Sequence, residues 1–433
     1  MTAAAAPSGH LLVGGCDMVD LVTEFGTPLY VYDEMTIREM CRLYLRDFGE
    51  RLPGVRVLFA AKSYLSPAMA RILAEEGLGM DVVSGGELHV ALAGGFPAER
   101  MAFHGNNKGE DELTEALEAG LGLIIVDNLH EMEVLTRLTA DRDVSQPVML
   151  RVTPGVDAHT HAKTTTGLRD SKFGFSLESG DAERAVEAVM AAPGLDLTGF
   201  HIHLGSPIYE TAPYEVGIAV MAQFAADMQE RHGFTWRQFS PGGGFAVGYT
   251  ANGLPPAIAA YADAVADSLR AECERHGLPL PEVHIEPGRS IAARAGVALY
   301  RVGSRKEIPG VRTYVAVDGG MADNIRPAMY GSEYEALLAN RLDAPAEETV
   351  TIAGKFCESG DILVKDVQLP RTEVGDLIAI PTSGAYNLAM ESNYNLALRP
   401  AVVFVRDGEA RLTRRRQTYD DLLALEMPLG ESS

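Results

Sequence analysis

Short apolar runs rich in β-branched residues recur through the first two thirds of the chain, and most are separated by helical patterns. One helical pattern starts at Pro67 and stops at Gly77, as expected from the preference of proline for the first turn of a helix and of glycine for its end. Similar patterns lie at 109–120 and 182–194. The apolar runs occupy residues 55–61, 78–84, 100–105, 121–127, 147–154, 197–205, 237–244 and 282–288. Alternating strands and helices predict a parallel sheet, and eight units over about 235 residues predict a (β/α)8 barrel.

Beyond residue 295 the pattern changes to strands joined by short turns, with little helix. We therefore predict an N-terminal segment at 1–36, the barrel at 37–294 and a C-terminal β domain, either a sandwich or a barrel, at 295–433. The segment TPLYVYDEM at 27–35 is strand-like, and we expect it to join the sheet of the C-terminal domain.

Charge and cysteine usage narrow the class of protein. The chain has 37 Lys and Arg against 60 Asp and Glu, a net charge of −23, which disfavours nucleic acid and anionic membranes as partners. No apolar run approaches the roughly 18 residues of a membrane-spanning helix. The first ten residues lack the basic and apolar regions of a signal peptide, so we expect a frayed tail and a cytoplasmic protein. The four cysteines form no CxxC pair, so neither a disulfide framework nor a zinc ribbon is predicted.

Lys62 directly follows the apolar run of the first predicted strand. In a (β/α)8 barrel the chemistry lies at the carboxyl ends of the strands, where this lysine is expected. The simpler interpretation is a lysine that extends its amine into solvent. A lysine desolvated in a pocket instead has a depressed pKa and forms Schiff bases with carbonyl compounds, so Lys62 is a candidate nucleophile.

The loops after the seventh and eighth strands predict a phosphate site. Three glycines at 242–244 offer backbone amides to an anion, although a lone triplet is a weak signal, and Gly288 and Arg289 follow the next strand. A phosphate together with a Schiff-base lysine indicates pyridoxal phosphate. Glu286 ends a buried strand, where an unpaired carboxylate is costly, so a cationic partner such as a protonated pyridine nitrogen is expected.

Two histidine-containing segments raise the question of a metal site. We expect only one of His201 and His203 to face the barrel interior, so no zinc site is predicted from this pair. His203 stacked on an aromatic ring is the preferred interpretation. The segment DAHTHA at 157–162 has no strand context and is predicted to be a loop. No metal site is predicted.

Together these residues resemble the fold type III pyridoxal-phosphate decarboxylases, which share an alanine-racemase-like barrel, from about residue 20 to 425. The matching segments, in chain order, are FAAKSY, MDVVSGGEL, SKFGF, HIHLGS, GGGF, EPGRSI, MADNIRPAMYG, FCESGDIL and TSGAYNLAMESNYN. The order and spacing of the segments carry the resemblance. The chain departs from the family at Pro207, where glutamine is common, and at GSEYE, residues 331–335.

The resemblance implies a role for each matching residue. Lys62 would bond to the cofactor, Glu286 would pair with the pyridine nitrogen and His203 would stack on the ring. The further cofactor-binding residues that it implies are Asp81, Ser206, Gly243, Gly244, Gly288, Arg289 and Tyr386. Cys357 would donate a proton to the carbanion left by CO2. The family supplies this cysteine from the second subunit of a head-to-tail dimer, so a homodimer with shared active sites is expected.

The distal end of the substrate distinguishes members of this family. Planar guanidinium groups bind carboxylates bidentately, so Arg326 and Tyr330, with Arg289, are candidate ligands of a distal carboxylate. The resemblance places Tyr386 near the phosphate and the substrate. The simpler interpretation of Arg326 is a surface ion pair. Glu358 is the candidate ligand of a distal ammonium. These groups predict decarboxylation of meso-2,6-diaminopimelate to L-lysine and CO2.

Several alternatives stay open at the level of sequence. A decarboxylase of the same family could act on lysine, ornithine, arginine or a related diamino diacid. An amino-acid racemase needs a second base, usually a tyrosine, on the opposite face of the cofactor ring. A non-enzymatic carrier of pyridoxal phosphate would leave the β domain without a purpose. A metal-dependent barrel hydrolase lacks a convincing set of ligands.

Overall fold

The computed structural model describes residues 2–156, 171–250, 253–427 and 429. The predicted loop at 157–162 therefore lies outside the described residues. Among the helices of the described segments, none combines the length and the apolar character that a membrane crossing requires.

The chain divides into two compact units. The first unit comprises Met1–Ile37, Gly248–Gly253 and Ala292–Ser433, and the second comprises Arg38–Val247 and Leu254–Ile291.

A closed parallel barrel forms the second unit. Over the described part of this unit, each of eight strands pairs with the next along the chain, and the eighth pairs with the first. The strands are Arg56–Ala60, Gly79–Val82, Met101–Phe103, Leu123–Val126, Gln146–Thr153, Leu195–His201, Gln238–Gly243 and Glu282–Glu286. A short strand, Phe175–Ser176, pairs beside the fifth. The predicted barrel is confirmed, and its apolar interior includes Leu58, Leu123 and Met149.

Helices lie between and around the barrel strands, and some of them begin at residues that favour a helix start. Ser66 accepts a hydrogen bond from the backbone N–H of Met69 at 3.2 Å, and Pro67 occupies the first turn. The helices are Glu34–Gly49, Pro67–Glu75, Gly85–Ala93, Glu110–Glu118, Leu129–Arg142, Asp181–Ala191, Ala212–His232, Ile258–His276 and Arg289–Ala292, with 3-10 turns at Ala61–Ser63 and Ala98–Arg100. The three helices predicted from the sequence pattern are confirmed.

The first unit is built on a mixed β-sheet. Its strands are Leu29–Asp33, Gly296–Ile308, Arg312–Val317, Leu337–Leu338, Glu348–Ala353, Ile362–Leu369, Leu377–Ile380, Ala401–Arg406 and Glu409–Arg414. The N-terminal strand Leu29–Asp33 lies between Gly296–Ile308, which is antiparallel to it, and Ala401–Arg406, which is parallel. Every residue of Leu29–Asp33 is buried, as expected of a central strand. The predicted entry of an N-terminal strand into the C-terminal sheet is confirmed.

Residues 3–5 form a strand, so the predicted frayed tail was wrong. Ala3–Ala5 pairs antiparallel with Leu11–Val13, which in turn pairs with Cys16–Asp17. Thr2 donates its backbone N–H to Asp33 Oδ2 at 2.7 Å. Backbone pairing and this carboxylate hold a segment whose side chains bury little apolar surface.

The remaining helices and 3-10 turns of the unit are Met18–Phe25, Ala293–Ala295, Arg326–Tyr330, Leu388–Met390, Tyr394–Leu396 and Tyr419–Leu423.

Candidate active site

Three adjacent strands at the carboxyl end of the barrel bring His201, Ser240 and Glu286 together. His201 and Ser240 are directly paired across the sixth and seventh strands, and Glu286 ends the eighth. The Ser240 hydroxyl donates to Glu286 Oε1 at 2.6 Å, and His201 Nε2 lies 3.0 Å from Oε1 and 3.1 Å from Oε2. The Glu286 carboxylate is therefore held by two donors inside the barrel.

The surroundings of Glu286 keep it ionised. Burial alone would raise the pKa of Glu286, but the neighbouring histidines and the hydrogen bonds from His201 and Ser240 outweigh burial and hold the pKa well below its usual range. Burial lowers the pKa of His201 to about 4, so its imidazole is neutral at neutral pH and donates one N–H.

The pKa of Asp81 is shifted in the opposite direction. Burial, followed by the charge of Glu286, raises the pKa of Asp81 well above its usual range. His104 Nε2 lies 3.2 Å from Asp81 Oδ1 and 3.9 Å from Glu286 Oε1, and burial lowers the pKa of His104 to about 4. The pKa values of the two carboxyl groups at the barrel mouth are thus shifted in opposite directions, a pattern typical of sites that move or hold protons.

Lys62 lies on the 3-10 turn Ala61–Ser63, directly after the first strand. Its side chain is exposed, so the predicted desolvation of this amine was wrong. This exposure leaves the lysine accessible to solvent and to a carbonyl compound. The charge of Lys62 also affects Asp81. It lowers the pKa of the Asp81 carboxyl group, although burial raises that pKa by more.

The predicted phosphate residues lie in loops that approach one another closely. Arg289 is 7% exposed, and its Nη2 donates to Ser206 Oγ at 3.2 Å. Gly244 has a φ of 96°, and a Cβ there would lie 2.3 Å from the carbonyl oxygen of Gly205. A Cβ at Gly288 would lie 2.9 Å from Ala60 Cβ. These glycines are required for close backbone packing.

The amides of the glycine triplet are partly used within the protein. Gly242 donates its N–H to Ser240 Oγ at 3.1 Å, and Gly243 donates to His203 Nδ1 at 3.4 Å. The triplet therefore also holds the side chains of Ser240 and His203 in place. The sequence of three glycines did not predict this role.

His201 and His203 both lie at the barrel mouth, so the expectation that only one would face the interior was wrong. Residues two apart in a strand point to the same face, so strand alternation would not separate the two rings, and His203 in any case lies beyond the sixth strand, which ends at His201. His203 is half-buried, and burial and the Lys62 charge lower its pKa well below the usual range. It is therefore a neutral ring beside Gly243.

Two groups of side chains among the described residues have donor atoms close enough to hold a metal ion. In the barrel, one donor atom each from His104, His201 and Glu286 lies within 4.8 Å of the others. On the helices outside the barrel, Glu183 and His232 approach to 3.0 Å, with Glu187 nearby. Sequence analysis predicted neither group, because each depends on which strands or helices are neighbours.

The predicted substrate residues of the first unit include a buried arginine. Arg326 is 5% exposed and begins the short helix Arg326–Tyr330. Its Nη1 donates to Tyr334 Oη at 2.5 Å, and its guanidinium lies 4.7 Å from the ring centroid of Tyr249. Tyr334 donates in turn to Asn387. Within the described residues no carboxylate is paired with Arg326, so a surface ion pair is excluded as its explanation.

Cys357 and Glu358 are exposed on the turn between Glu348–Ala353 and Ile362–Leu369. The buried Asp361 anchors this turn, since its carboxylate accepts the N–H groups of Phe356 at 2.9 Å and Met321 at 2.7 Å. Asn395 accepts the N–H of Cys357 at 3.1 Å. The thiol and the carboxylate therefore project from a turn with a fixed backbone.

Tyr330 and Tyr386 are both half-buried in the first unit. Tyr386 has a φ of 64°, which is uncommon for a residue other than glycine. Such backbone strain is often found at functional sites.

Neither of two cavities is lined by a predicted cofactor residue, although one of them is lined by Phe356 and Asn395, the neighbours of Cys357. A cavity of about 450 Å³ lies at the amino ends of the barrel strands, next to Arg56, Met101 and Leu123. A cavity of about 510 Å³ lies in the first unit, next to Asp323, Arg416 and Tyr419. In a (β/α)8 barrel the amino ends of the strands serve stability, so the first cavity is not the catalytic mouth.

The barrel-mouth residues fit pyridoxal phosphate. The direct hydrogen-bond donors to Glu286 are a neutral imidazole and a hydroxyl, so this buried anion has no cationic partner among them. The protonated pyridine nitrogen of the cofactor would be such a partner. Arg289 and Ser206 together suit the phosphate, because a guanidinium and a hydroxyl both donate to anionic oxygens.

Comparison with known proteins agrees with this fit. Residues 36–293 match the family described as pyridoxal-dependent decarboxylase, pyridoxal binding domain. The chain therefore belongs to the pyridoxal-dependent decarboxylases, and its cofactor is pyridoxal phosphate.

Within this class, the chain is similar to several diaminopimelate decarboxylases. The Bacillus subtilis (strain 168) enzyme is 47% identical over 97% of this chain and 96% of its own. The Bacillus methanolicus enzyme is 44% identical over 94% of this chain and 95% of its own. The crystal structure of the M. jannaschii enzyme superposes with a TM-score of 0.93 at 32% identity and covers 99% of this chain and 98% of its own.

Proposed function

We propose that this protein decarboxylates meso-2,6-diaminopimelate and releases L-lysine and CO2. Its similarity to diaminopimelate decarboxylases over nearly the whole chain supports this proposal. The M. jannaschii enzyme has also been solved in complex with L-lysine, which is the product named here. The single observation that carries the substrate assignment is Arg326, a buried guanidinium that pairs with no carboxylate of the described chain.

Arg326 suits the carboxylate at the distal end of the substrate. Its guanidinium is oriented by Tyr334 and Tyr249, so little side-chain entropy is lost when a carboxylate binds. Tyr330 lies at the end of the same helix and adds a hydroxyl. Glu358 binds the distal ammonium, and Arg289 and Tyr386 complete the proposed substrate ligands.

The residues of the barrel mouth hold the cofactor. Lys62 bonds to it, Glu286 holds the proton of the ring nitrogen, and His203 packs against the ring. The phosphate and the rest of the cofactor are held by Asp81, Ser206, Gly243, Gly244, Gly288, Arg289 and Tyr386. Bound pyridoxal phosphate supplies an electron sink for the charge that develops at Cα as CO2 leaves.

Cys357 completes the reaction by donating its thiol proton to Cα, as a general acid. Its exposure supports this proposal, because a thiol on a surface turn can enter the active site of a second subunit. Burial and the charge of Glu286 raise the pKa of Asp81, so negative charge at the barrel mouth is favoured on Glu286, the acid that would pair with the ring nitrogen.

We further propose a homodimer in which each subunit supplies Cys357 and Glu358 to the other. Mixing of inactive Lys62→Ala and Cys357→Ala chains tests this arrangement. Random reassociation leaves half of the dimers mixed, each with one intact site, so about a quarter of wild-type activity returns. If both groups act within one chain, the mixture stays inactive.

The cytoplasmic location and the domain boundaries at 36/37 and 294/295 stay predictions. Cell fractionation tests the location. Limited proteolysis tests the boundaries, since exposed linkers between domains are cut first.

The direct test of the proposed reaction is CO2 release by the purified, cofactor-loaded protein. Release from meso-diaminopimelate with one equivalent of L-lysine supports the proposal. Racemisation of an amino acid without release of CO2 overturns it.

A further inference from the structure

Glu286 is held by neighbours whose proton positions follow from their other contacts. Ser240 Oγ accepts the N–H of Gly242 at 3.1 Å, so its own hydroxyl proton is directed at Glu286 Oε1, 2.6 Å away. Ser240 is thus a donor to the carboxylate. Its position on the middle one of three adjacent strands fixes the direction of this bond.

His201 contributes the second donor. The ring is 1% exposed, and its Nε2 lies within 3.1 Å of both oxygens of Glu286. A neutral imidazole has a single N–H, and the carboxylate selects the tautomer that carries it on Nε2. Nδ1 is then an acceptor, and no hydrogen-bond partner for it exists among the described residues.

His104 also lies near the carboxylate of Glu286. Its ring meets that of His201 edge-on, with centroids 5.0 Å apart and planes at 72°. Its Nε2 is nearer to Asp81 than to Glu286, at 3.2 Å against 3.9 Å. His104 therefore limits the space around Glu286, while the direct donors are His201 and Ser240.

We propose that His201 and Ser240 are positioning residues, which orient Glu286 as an acceptor for the protonated ring nitrogen of the cofactor. This inference rests on the proposed pairing of Glu286 with that nitrogen. Without the two donors the carboxylate is free to rotate and gains a proton more readily, and the ring nitrogen then loses its partner. Neither residue contacts the reacting atoms in this account.

The test compares the affinity of the cofactor-free protein for two ligands. One is pyridoxal phosphate, and the other is its 1-deaza analogue, in which a C–H group replaces the ring nitrogen. The wild-type protein is expected to prefer pyridoxal phosphate. His201→Leu removes the N–H donor and is expected to reduce this preference about tenfold, as for loss of a hydrogen bond to a charged group. His201→Gln places an amide N–H near the former Nε2 and is expected to restore most of the preference.

His284→Leu is the matched control. His284 is also buried in the barrel, and its Nε2 lies 2.8 Å from Glu282, at the opposite end of the eighth strand from Glu286. Its loss is expected to leave the preference unchanged. An equal fall in both affinities in His201→Leu would identify a merely structural role and overturn the proposal, as would unchanged affinities.

Two further measurements keep the proposal testable if His201→Leu does not fold. Ser240→Ala is expected to reduce the preference several-fold by removing the second donor. In the cofactor-free wild type, 15N spectra of the histidine ring are expected to show Nε2 protonated and Nδ1 unprotonated at neutral pH. A charged His201 or the opposite tautomer contradicts the proposal. Neither measurement involves the amino-acid substrate, so they are independent of the proposed reaction.

Discussion

The Ser240 hydroxyl lies 2.6 Å from Oε1 of Glu286 and directs its proton at that oxygen. The contact joins neighbouring barrel strands and leaves Glu286 with donors but with no cation in direct hydrogen-bond contact. A buried carboxylate in this state is costly unless a positive group arrives. Glu286 is therefore suited to bind a ligand that carries a protonated ring nitrogen.

Lys62→Ala is expected to abolish catalysis. Loss of the amine removes the covalent bond to the cofactor, and CO2 release should fall on the order of 1,000-fold or more. The visible absorbance of the lysine-bound cofactor should disappear as well. Lys365→Ala removes an exposed lysine from a strand of the other unit and should change neither measurement. Full activity of Lys62→Ala would falsify the covalent role.

Arg326→Lys is expected to raise the KM for meso-diaminopimelate on the order of tenfold or more, because an ammonium cannot bind a carboxylate bidentately. Inhibition by L-lysine, which retains the distal carboxylate, should weaken in parallel. Inhibition by 1,5-diaminopentane, which has no carboxylate, should change little. Equal weakening of both inhibitors would instead mean that the variant disturbs the packing against Tyr249 and Tyr334.

Cys357→Ala is expected to lower kcat about 100-fold to 10,000-fold, the usual contribution of a general acid. The cofactor absorbance and the KM should stay close to wild type, since the thiol acts after substrate binding. Ser359→Ala changes an exposed neighbour on the same turn and provides the control. A kcat of Cys357→Ala equal to that of the control would remove the cysteine from the mechanism.

Asp323 is expected to make the stability of the protein depend on pH. Burial raises the pKa of Asp323 from 3.8 to about 7, against hydrogen bonds from Tyr300, Gly320 and Tyr30 that lower it. Between these values the folded state binds more protons than the unfolded state, so stability falls as pH rises from about 4 to 7, by at most about 1.4 kcal/mol per pH unit. Asp323→Asn should flatten this slope, as measured by urea unfolding at several pH values. Asp20→Asn, at an exposed position, controls for the loss of one negative charge. An unchanged slope in Asp323→Asn would contradict the assignment.

The barrel was predictable because alternation of apolar runs and helices is a local property of the chain. The same holds for Leu29–Asp33, whose apolar residues mark a buried strand. Ala3–Ala5 was missed because its pairing uses backbone groups, which hydropathy does not report.

The candidate site was predictable only in part. Glu286 and Lys62 could be found because Glu286 ends an apolar strand and Lys62 lies on the turn that follows one. The partnership of His201, Ser240 and Glu286 depends on the register of three strands that lie far apart in sequence. The exposure of Lys62 likewise depends on the loops around it. Such relationships are set by tertiary packing and have no local sequence signal.

The most direct test of the central claim is CO2 release by the cofactor-loaded protein, with meso-diaminopimelate, L-lysine, L-ornithine and L-arginine offered separately. We predict release from meso-diaminopimelate alone, with an equal amount of L-lysine formed. Release from one of the basic amino acids and none from meso-diaminopimelate would contradict the assignment of Arg326 and Glu358 to the distal end of the substrate.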